Sequence, residues 1–293
     1  MPLASRDETK HGTREEIPEK DLSGNTSLGR LISLLREMQT ITVLLSGGVD
    51  SACLAWAAAR ALPKSAVQLL TLTCPLVEEE ERRIARQVAS QLGLSWHLLE
   101  APTLKVPEVR ENSPRRCYFC RKAMHARADA WIREQHKGPL ADGVHGEDRR
   151  EYRPGLQAAE EDGIRHPLEE AGLSKEEIRE CLRREGFSHW DRPPRPCLAT
   201  RFPPGVILEE QNLLLVQRGE ELLRGHGFFR GRLRFFPPGA GVLELPEEDL
   251  FRALEQRKEL TADLLALGFG VIALDLEGHC RGKMERFYSK DFP

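Results

Sequence analysis

The stretch "TVLLSGGVDSACLAW", residues 42–56, is an apolar strand pattern, then the run Ser46-Gly47-Gly48-Val49-Asp50-Ser51, then an apolar helix pattern. Two adjacent glycines permit a tight turn whose successive N–H groups point into one concavity at a helix N-terminus, which makes an anion site. The hydroxyls of Ser46 and Ser51 can add donors, and Asp50 can hold a magnesium ion. No Gly-Lys-Ser/Thr follows and no GxGxxG is present, so neither the Walker A loop nor the dinucleotide fingerprint fits. The bland alternative is a tight strand-to-helix turn that binds nothing.

Outward from this turn the chain alternates. A helical pattern, "LGRLISLLREM", precedes the strand. After the second helix come a strand "AVQLLTL", a charged helix "EEEERRIARQVASQLG" and a strand "SWHLLE". This rhythm predicts an α/β fold with a doubly wound parallel sheet. A helix follows to about Gln135, then a strand-like "PLADGV" and a helix "SKEEIRECLRREGF", in which Ser174 and Glu177 have capping-box spacing. The proline-rich "WDRPPRPCLATRFPPG", residues 190–205, cannot be regular helix and marks a boundary. Beyond it lie a helix, strands "GRLRFF" and "GVLEL", a helix "PEEDLFRALEQR" and a strand "GVIALDL", which predict a smaller α+β domain with an antiparallel sheet. The expected organisation is a mobile tail over 1–27, a first domain over 28–205 and a second over 206–293.

The chain has 293 residues, 40% hydrophobic and 30% charged, enough for two cores. A net charge of −3 argues against a surface built for general nucleic-acid binding, so an anionic partner is expected to be small. No apolar run of 18 or more residues occurs, and the N-terminus lacks the apolar segment of a signal peptide, so a cytoplasmic protein that leaves membranes alone is expected.

Seven cysteines, an odd number in a chain with its own core, fit a disulfide framework poorly. Cys117 and Cys120, in "SPRRCYFCRKAMH", share a face of the expected helix among Arg115, Arg116, Arg121 and Lys122, whose charge favours thiolates. This pair alone is compatible with zinc, an iron-sulfur centre, a redox dithiol or packing. Cys197 offers a third thiol without a fourth ligand at finger-like spacing. Cys53 and Cys181 read as small hydrophobes within helices, His125 and His136 as surface or packing residues. Cys74 ends a strand at the edge where nucleotides bind in such sheets, and Cys280 has no assignment.

The SGGVDS turn resembles the pyrophosphate loop of the PP-loop ATP pyrophosphatases. In order along the chain, "SGGVDS", "RCYFCRK", "EYRPGLQAA", "PCLATRFPPG", "GFFRGRLRF" and "LDLEG" resemble the LarE family of sulfur insertases, which makes the nickel-pincer nucleotide cofactor of lactate racemase. The resemblance implies an ATP- and Mg2+-dependent enzyme that adenylates the carboxylates of a pyridinium biscarboxylate mononucleotide and converts them to thiocarboxylates. ATP phosphates would sit on Ser46, Gly47, Gly48, Asp50 and Ser51, with Mg2+ on Asp50. In one version of the family a cysteine at the position of Cys197 gives up its own sulfur. In the other, three cysteines hold a [4Fe-4S] cluster with an extra sulfide, and the presence of Cys117, Cys120 and Cys197 implies this version, which needs an external sulfide source.

Glu220 matches an acidic residue near the family's active site, although its charged run also reads as a solvated helix face. Arg232 and Arg234 alternate on a strand and so point the same way, as a clamp for the substrate phosphate or as a solvated face. Arg153 is either an anion ligand or a turn residue. Family members form hexamers, so a homo-oligomer is implied. The rival readings are an iron-sulfur tRNA thiolase, a non-catalytic nucleotide-binding protein that keeps the loop, and an amide-forming ligase.

Overall fold

The computed structural model describes residues 26–147, 154–193, 195–280 and 283. Most of the expected tail, and Arg153, lie outside these residues. The chain falls into two compact units. One comprises the chain up to Thr73 with Glu79–Ala101 and Arg121–Arg195; the other comprises Cys74–Glu78, Pro102–Cys120 and the chain from Pro196 on. The segments 102–120 and 196–205, assigned by sequence to the first domain, thus group with the C-terminal part.

The first unit carries a parallel sheet of β1 (Ile41–Leu44), β2 (Val67–Thr73), β3 (Ser95–Glu100) and β4 (Leu140–Ala141), in the order β3-β2-β1-β4. This is the predicted α/β fold. β1 is buried along its whole length, as an apolar run in the middle of a parallel sheet should be. Helix Val49–Ala61 is buried from Val49 to Ala58 except at Asp50. Its alanines and Cys53 leave little side chain to displace, so sheet and helices can close on it. Leu31, Ile32 and Leu35 from helix Ser27–Met38 complete the same core with Trp56. Helix Lys175–Arg184 starts with the expected capping box of Ser174 and Glu177.

β4 is much shorter than "PLADGV". The reason is local: Asp142 Oδ1 accepts the Val144 N–H at 3.1 Å and pairs with His166 Nδ1 at 2.7 Å, which turns the chain out of the sheet.

The second unit carries β5 (Arg232–Phe236), β6 (Ala240–Glu244) and β7 (Val271–Leu274). β5 and β6 form the expected antiparallel pair, but β6 and β7 run parallel. The fully antiparallel sheet is therefore corrected. Two helices, Glu247–Glu255 and Arg257–Leu267, fill the connection and bring the chain back in the same direction. The second of these was not anticipated. Helix Glu210–Gly225 packs on the sheet at Gly219, where a Cβ would come 2.3 Å from Leu233.

Candidate functional site

The glycine turn of the first unit is built from backbone. Ser46 Oγ accepts the Gly48 N–H at 3.2 Å, and the Ser51 hydroxyl donates to the Gly48 carbonyl at 3.0 Å and accepts the Ser46 N–H at 3.2 Å. Gly47 has φ +85°, and a Cβ there would lie 2.4 Å from the Glu81 carbonyl oxygen. Gly143 is equally confined, since its Cβ would come 2.6 Å from Ser51 N. Gly48 caps helix Val49–Ala61 without a side-chain hydrogen bond, so the helix offers its first-turn N–H groups and its positive end to an anion.

Asp50, in that first turn, is held by a residue the sequence reading passed over. Lys175 Nζ donates to Asp50 Oδ1 and Oδ2 at 3.0 and 2.9 Å and lies 3.2 Å from Nε2 of the buried His145. The signal was present in the capping box, which fixes where helix Lys175–Arg184 begins and so where Lys175 projects. Asp50 supplies the hard oxygen donors that Mg2+ prefers.

In the second unit the best-fixed thiol-bearing segment is the turn at Cys197. The Leu198 N–H donates to Leu76 O at 3.0 Å, and Thr200 donates to the Cys197 carbonyl through its N–H at 3.0 Å and its hydroxyl at 2.9 Å. Arg201 Nη1 donates to Pro196 O at 2.7 Å. Arg201 is itself clamped by Glu220, through Nε–Oε1 at 2.8 Å and Nη2–Oε2 at 3.0 Å, and by Glu78 at 3.3 Å.

All three side chains of that clamp are buried. Glu220 is therefore no solvated helix residue. Burial pushes its carboxyl pKa up, but the attraction and hydrogen bonds of Arg201 outweigh this and hold it below the ordinary carboxylate range. It is linked to the Cys197 turn through Arg201. Asn112 adds a second tie, with its side-chain amide donating to Pro203 O at 2.9 Å and Phe202 O at 3.2 Å.

Cys117 and Cys120 lie in the opening turns of helix Arg116–Gln135, Cys117 exposed and Cys120 half-buried. The neighbouring Cys120, and to a lesser degree Thr103, lowers the Cys74 pKa to about 7 although burial opposes it. All seven cysteines are free thiols. Cys117, Cys120 and Cys197 share one unit, but among the described residues no three Cys, His, Asp or Glu side chains are gathered as a ready metal site. Cys53 and Cys181 are buried in the first unit's core, as expected. His125 is buried and pairs with Asp162 at 2.8 Å, a packing residue, whereas His136 is exposed.

Arg232 and Arg234 do share a face of β5. Arg234 is buried and committed to Glu244 at 2.6 Å and to the Thr200 carbonyl. Arg232 has no hydrogen-bond or ion-pair partner among the described residues, and burial, Arg201 and Arg234 lower its pKa to about 10. His279, not singled out from sequence, stands in the same field, its pKa lowered by burial and then by Arg232.

The family model described as asparagine synthase matches residues 32–112, which include the whole glycine turn. An uncharacterized protein of Synechocystis sp., slr1717, is 34% identical over 267 residues, covering 90% of this chain and 99% of the relative. The pyridinium-3,5-bisthiocarboxylic acid mononucleotide synthase of Lactiplantibacillus plantarum is 29% identical over 90% of this chain and 96% of its own length. A protein of Methanocaldococcus jannaschii, MJ0830, is 25% identical over 81% of this chain and 89% of its own. No helix among the described residues is long and apolar enough to cross a membrane. A loop of this type implies ATP and Mg2+ as its ligands. With the glycine turn formed and two such relatives matched along nearly their whole length, the chain belongs to the LarE family of PP-loop enzymes.

Proposed function

We propose that the protein is an ATP-dependent sulfurtransferase of nickel-pincer nucleotide biosynthesis. It adenylates carboxylates of a pyridinium biscarboxylate mononucleotide, releasing pyrophosphate, and sulfide then displaces AMP to leave a thiocarboxylate. The observation that carries this reading is the alignment with the Lactiplantibacillus plantarum synthase over 96% of that protein.

The chain's own residues supply the binding steps. The N–H groups of the Ser46–Ser51 turn would hold the leaving pyrophosphate, and Asp50 would carry Mg2+ once Lys175 is drawn off to the phosphates. Arg232, the uncommitted guanidinium, would take the substrate phosphate, while Arg234 keeps β5 tied to Thr200 and Glu244. Glu220 and Arg201 would fix the turn that presents Cys197.

Cys117, Cys120 and Cys197 would hold a [4Fe-4S] cluster, which when bound supplies the sulfide. The fit rests on donor chemistry, three thiols on one unit with cationic neighbours, and loading requires those thiols to close on one another. A second reading, in which Cys197 donates its own sulfur, is favoured by one observation: the Cys197 turn is pinned while no three-thiol set is assembled among the described residues. The free thiols suit a reducing cytoplasm. A homo-oligomer, and a division into an ATP unit and a substrate unit, are part of the proposal.

The test is iron and acid-labile sulfide on anaerobically prepared protein, followed by ATP, Mg2+ and the dicarboxylate nucleotide with added sulfide. About four iron per chain, lost with C117A/C120A/C197A, and repeated thiocarboxylate turnover support the cluster reading. A single turnover with dehydroalanine at position 197 supports the sacrificial one. ATP hydrolysis without thiocarboxylate in either form would overturn both.

A further inference from the structure

A segment remote in sequence delivers a second polar side chain to the neighbourhood of Arg232. Arg232 pairs across the strands with Glu244, and the carbonyl of the next residue, Leu245, accepts the His279 N–H at 2.9 Å. The turn that carries His279 is itself pinned. Lys283 Nζ donates to Asp275 Oδ2 and to the Gly278 carbonyl, both at 2.7 Å, and the Glu277 N–H donates to Asp275 Oδ1 at 2.9 Å. Gly278 has φ +69° and lies so close to β6 that a Cβ there would come 2.7 Å from the Leu245 carbonyl oxygen. The backbone from which the imidazole projects is therefore fixed against the strand that Arg232 faces. Yet the imidazole is not spent on the fold: its Nε2 is buried with no hydrogen-bond partner among the described residues, and Arg232 has none either. Buried polar atoms are as a rule hydrogen-bonded, so two such groups beside one another point to a ligand that accepts from both.

We propose that His279 is a second ligand of the anion that Arg232 takes, donating from Nε2 to an oxygen of a phosphomonoester. That this ester is the phosphate of a pyridinium mononucleotide rests on the proposed function; the two-donor anion site does not. The charges that face His279 are Arg230, Arg232 and Arg234 from the β5 side and Glu244 from β6, and Glu244 is committed to Arg234 at 2.6 Å. On its own turn Asp275 is matched by Lys283. Burial, and then Arg232, hold the His279 pKa below 6.5, so the imidazole is neutral in the free protein at pH 7. A bound dianion favours the imidazolium, so one proton passes from solvent to His279 as the anion enters. Affinity therefore rises as pH falls from about 8 toward 6. The site adjoins the clamp of the Cys197 turn, because the N–H of Leu233, the residue after Arg232, donates to Glu220 Oε1 at 3.1 Å.

The experiment is calorimetric titration of the full chain with inorganic sulfate, a dianion that does not itself titrate in this range. Runs in two buffers of different ionisation enthalpy count the protons taken up. Sulfate can also occupy the glycine turn, so the quantity read is the binding that Arg232→Gln removes. The expected result is an uptake approaching one proton per anion, with affinity rising toward pH 6. In His279→Gln the uptake disappears and affinity at about pH 6 falls about tenfold, the value of one charge-assisted hydrogen bond. The proton count on the wild-type chain needs no variant at position 279, and His279→Asn serves if the glutamine variant does not fold. Binding at the Arg232 site without proton uptake, uptake that persists in His279→Gln, or no Arg232-dependent binding would overturn the proposal. Proton-linked sulfate binding in a protein that never converts the dicarboxylate nucleotide would support the site and overturn the proposed substrate instead.

Discussion

The glycine turn and the Cys197 turn are both fixed by hydrogen bonds, but they are made differently. The first uses six consecutive residues, Ser46–Ser51, and its working groups are backbone N–H donors set by two glycines and two hydroxyls. The second uses side chains drawn from residues 78, 112, 201 and 220, with Arg201 at the centre. A local backbone site fails when a dihedral is denied. A dispersed side-chain site fails when one charge or amide is removed. That difference orders the expected effects.

The largest is Glu220→Ala. It leaves the Arg201 guanidinium buried with only Glu78 as a counter-charge at 3.3 Å, and breaking a buried ion pair costs about 3–5 kcal/mol. Denaturant unfolding is expected to report a loss toward the lower end of that range because Glu78 remains. A variant as stable as the parent would mean that the clamp carries no strain from desolvation. Next comes Gly47→Ala, which tests the backbone site. The positive φ and the 2.4 Å approach to the Glu81 carbonyl force the turn to move, and a misplacement of about 1 Å can cost about 100-fold in rate. ATP-dependent pyrophosphate release is expected to fall by about that factor; retention of the parental rate would break the claim that this turn is the phosphate site.

Asn112→Ala is expected to have a smaller effect. The amide satisfies the carbonyls of Phe202 and Pro203 in a fully buried position, and stranding buried polar groups costs about 1–3 kcal/mol. The backbone at Asn112 has φ 50°, which asparagine tolerates better than alanine does. Asn112→Gly separates the two causes: it relieves the dihedral and still removes the amide. Equal unfolding midpoints for both variants would assign the loss to the amide alone.

The same contrast explains what the sequence made legible. The strand, glycine turn and helix at 42–56 are contiguous, so pattern and turn chemistry foretold them, and the parallel order of β1 to β3 followed from alternation. The capping box of Ser174 was read correctly for the same reason. The partners of the Cys197 turn were not visible, because Arg201, Glu78 and Glu220 meet only after residues far apart in the chain have folded together. Glu220 falls on the helix face of Leu213, Val216 and Leu223, but the charged run around it reads equally as a solvated face. Arg232 and Arg234 were placed on one face, but their inequality was hidden, since it depends on Glu244 pairing across the strands with one of them. The parallel β7 was missed because helix Arg257–Leu267 was not recognised in a charged segment.

The smallest expected effect concerns His189, in the loop that leads toward Cys197. Its Nε2 is buried without a hydrogen-bond partner among the described residues, and its ring meets Phe187 edge-on at 5.8 Å. Burial, and then the positive charge of Arg192, lower its pKa from 6.5 to about 4. The folded protein thus keeps this imidazole neutral where the unfolded chain begins to bind a proton. Above about pH 6.5 neither state is charged and the group contributes nothing to pH dependence. As pH falls below that value the unfolded state gains a proton that the folded state refuses, so stability declines until about pH 4, where both are charged. One pH unit below the unfolded value the decline attributable to one such group is about 1 kcal/mol. His189→Gln is expected to flatten the stability profile between pH 6.5 and 4 by that one proton, leaving stability above pH 7 to report only the change in packing. An unchanged slope would mean that the loop opens before the histidine titrates, and that Arg192–Glu81 at 2.7 Å and Arg195–Glu80 at 2.9 Å hold it less firmly than their geometry implies.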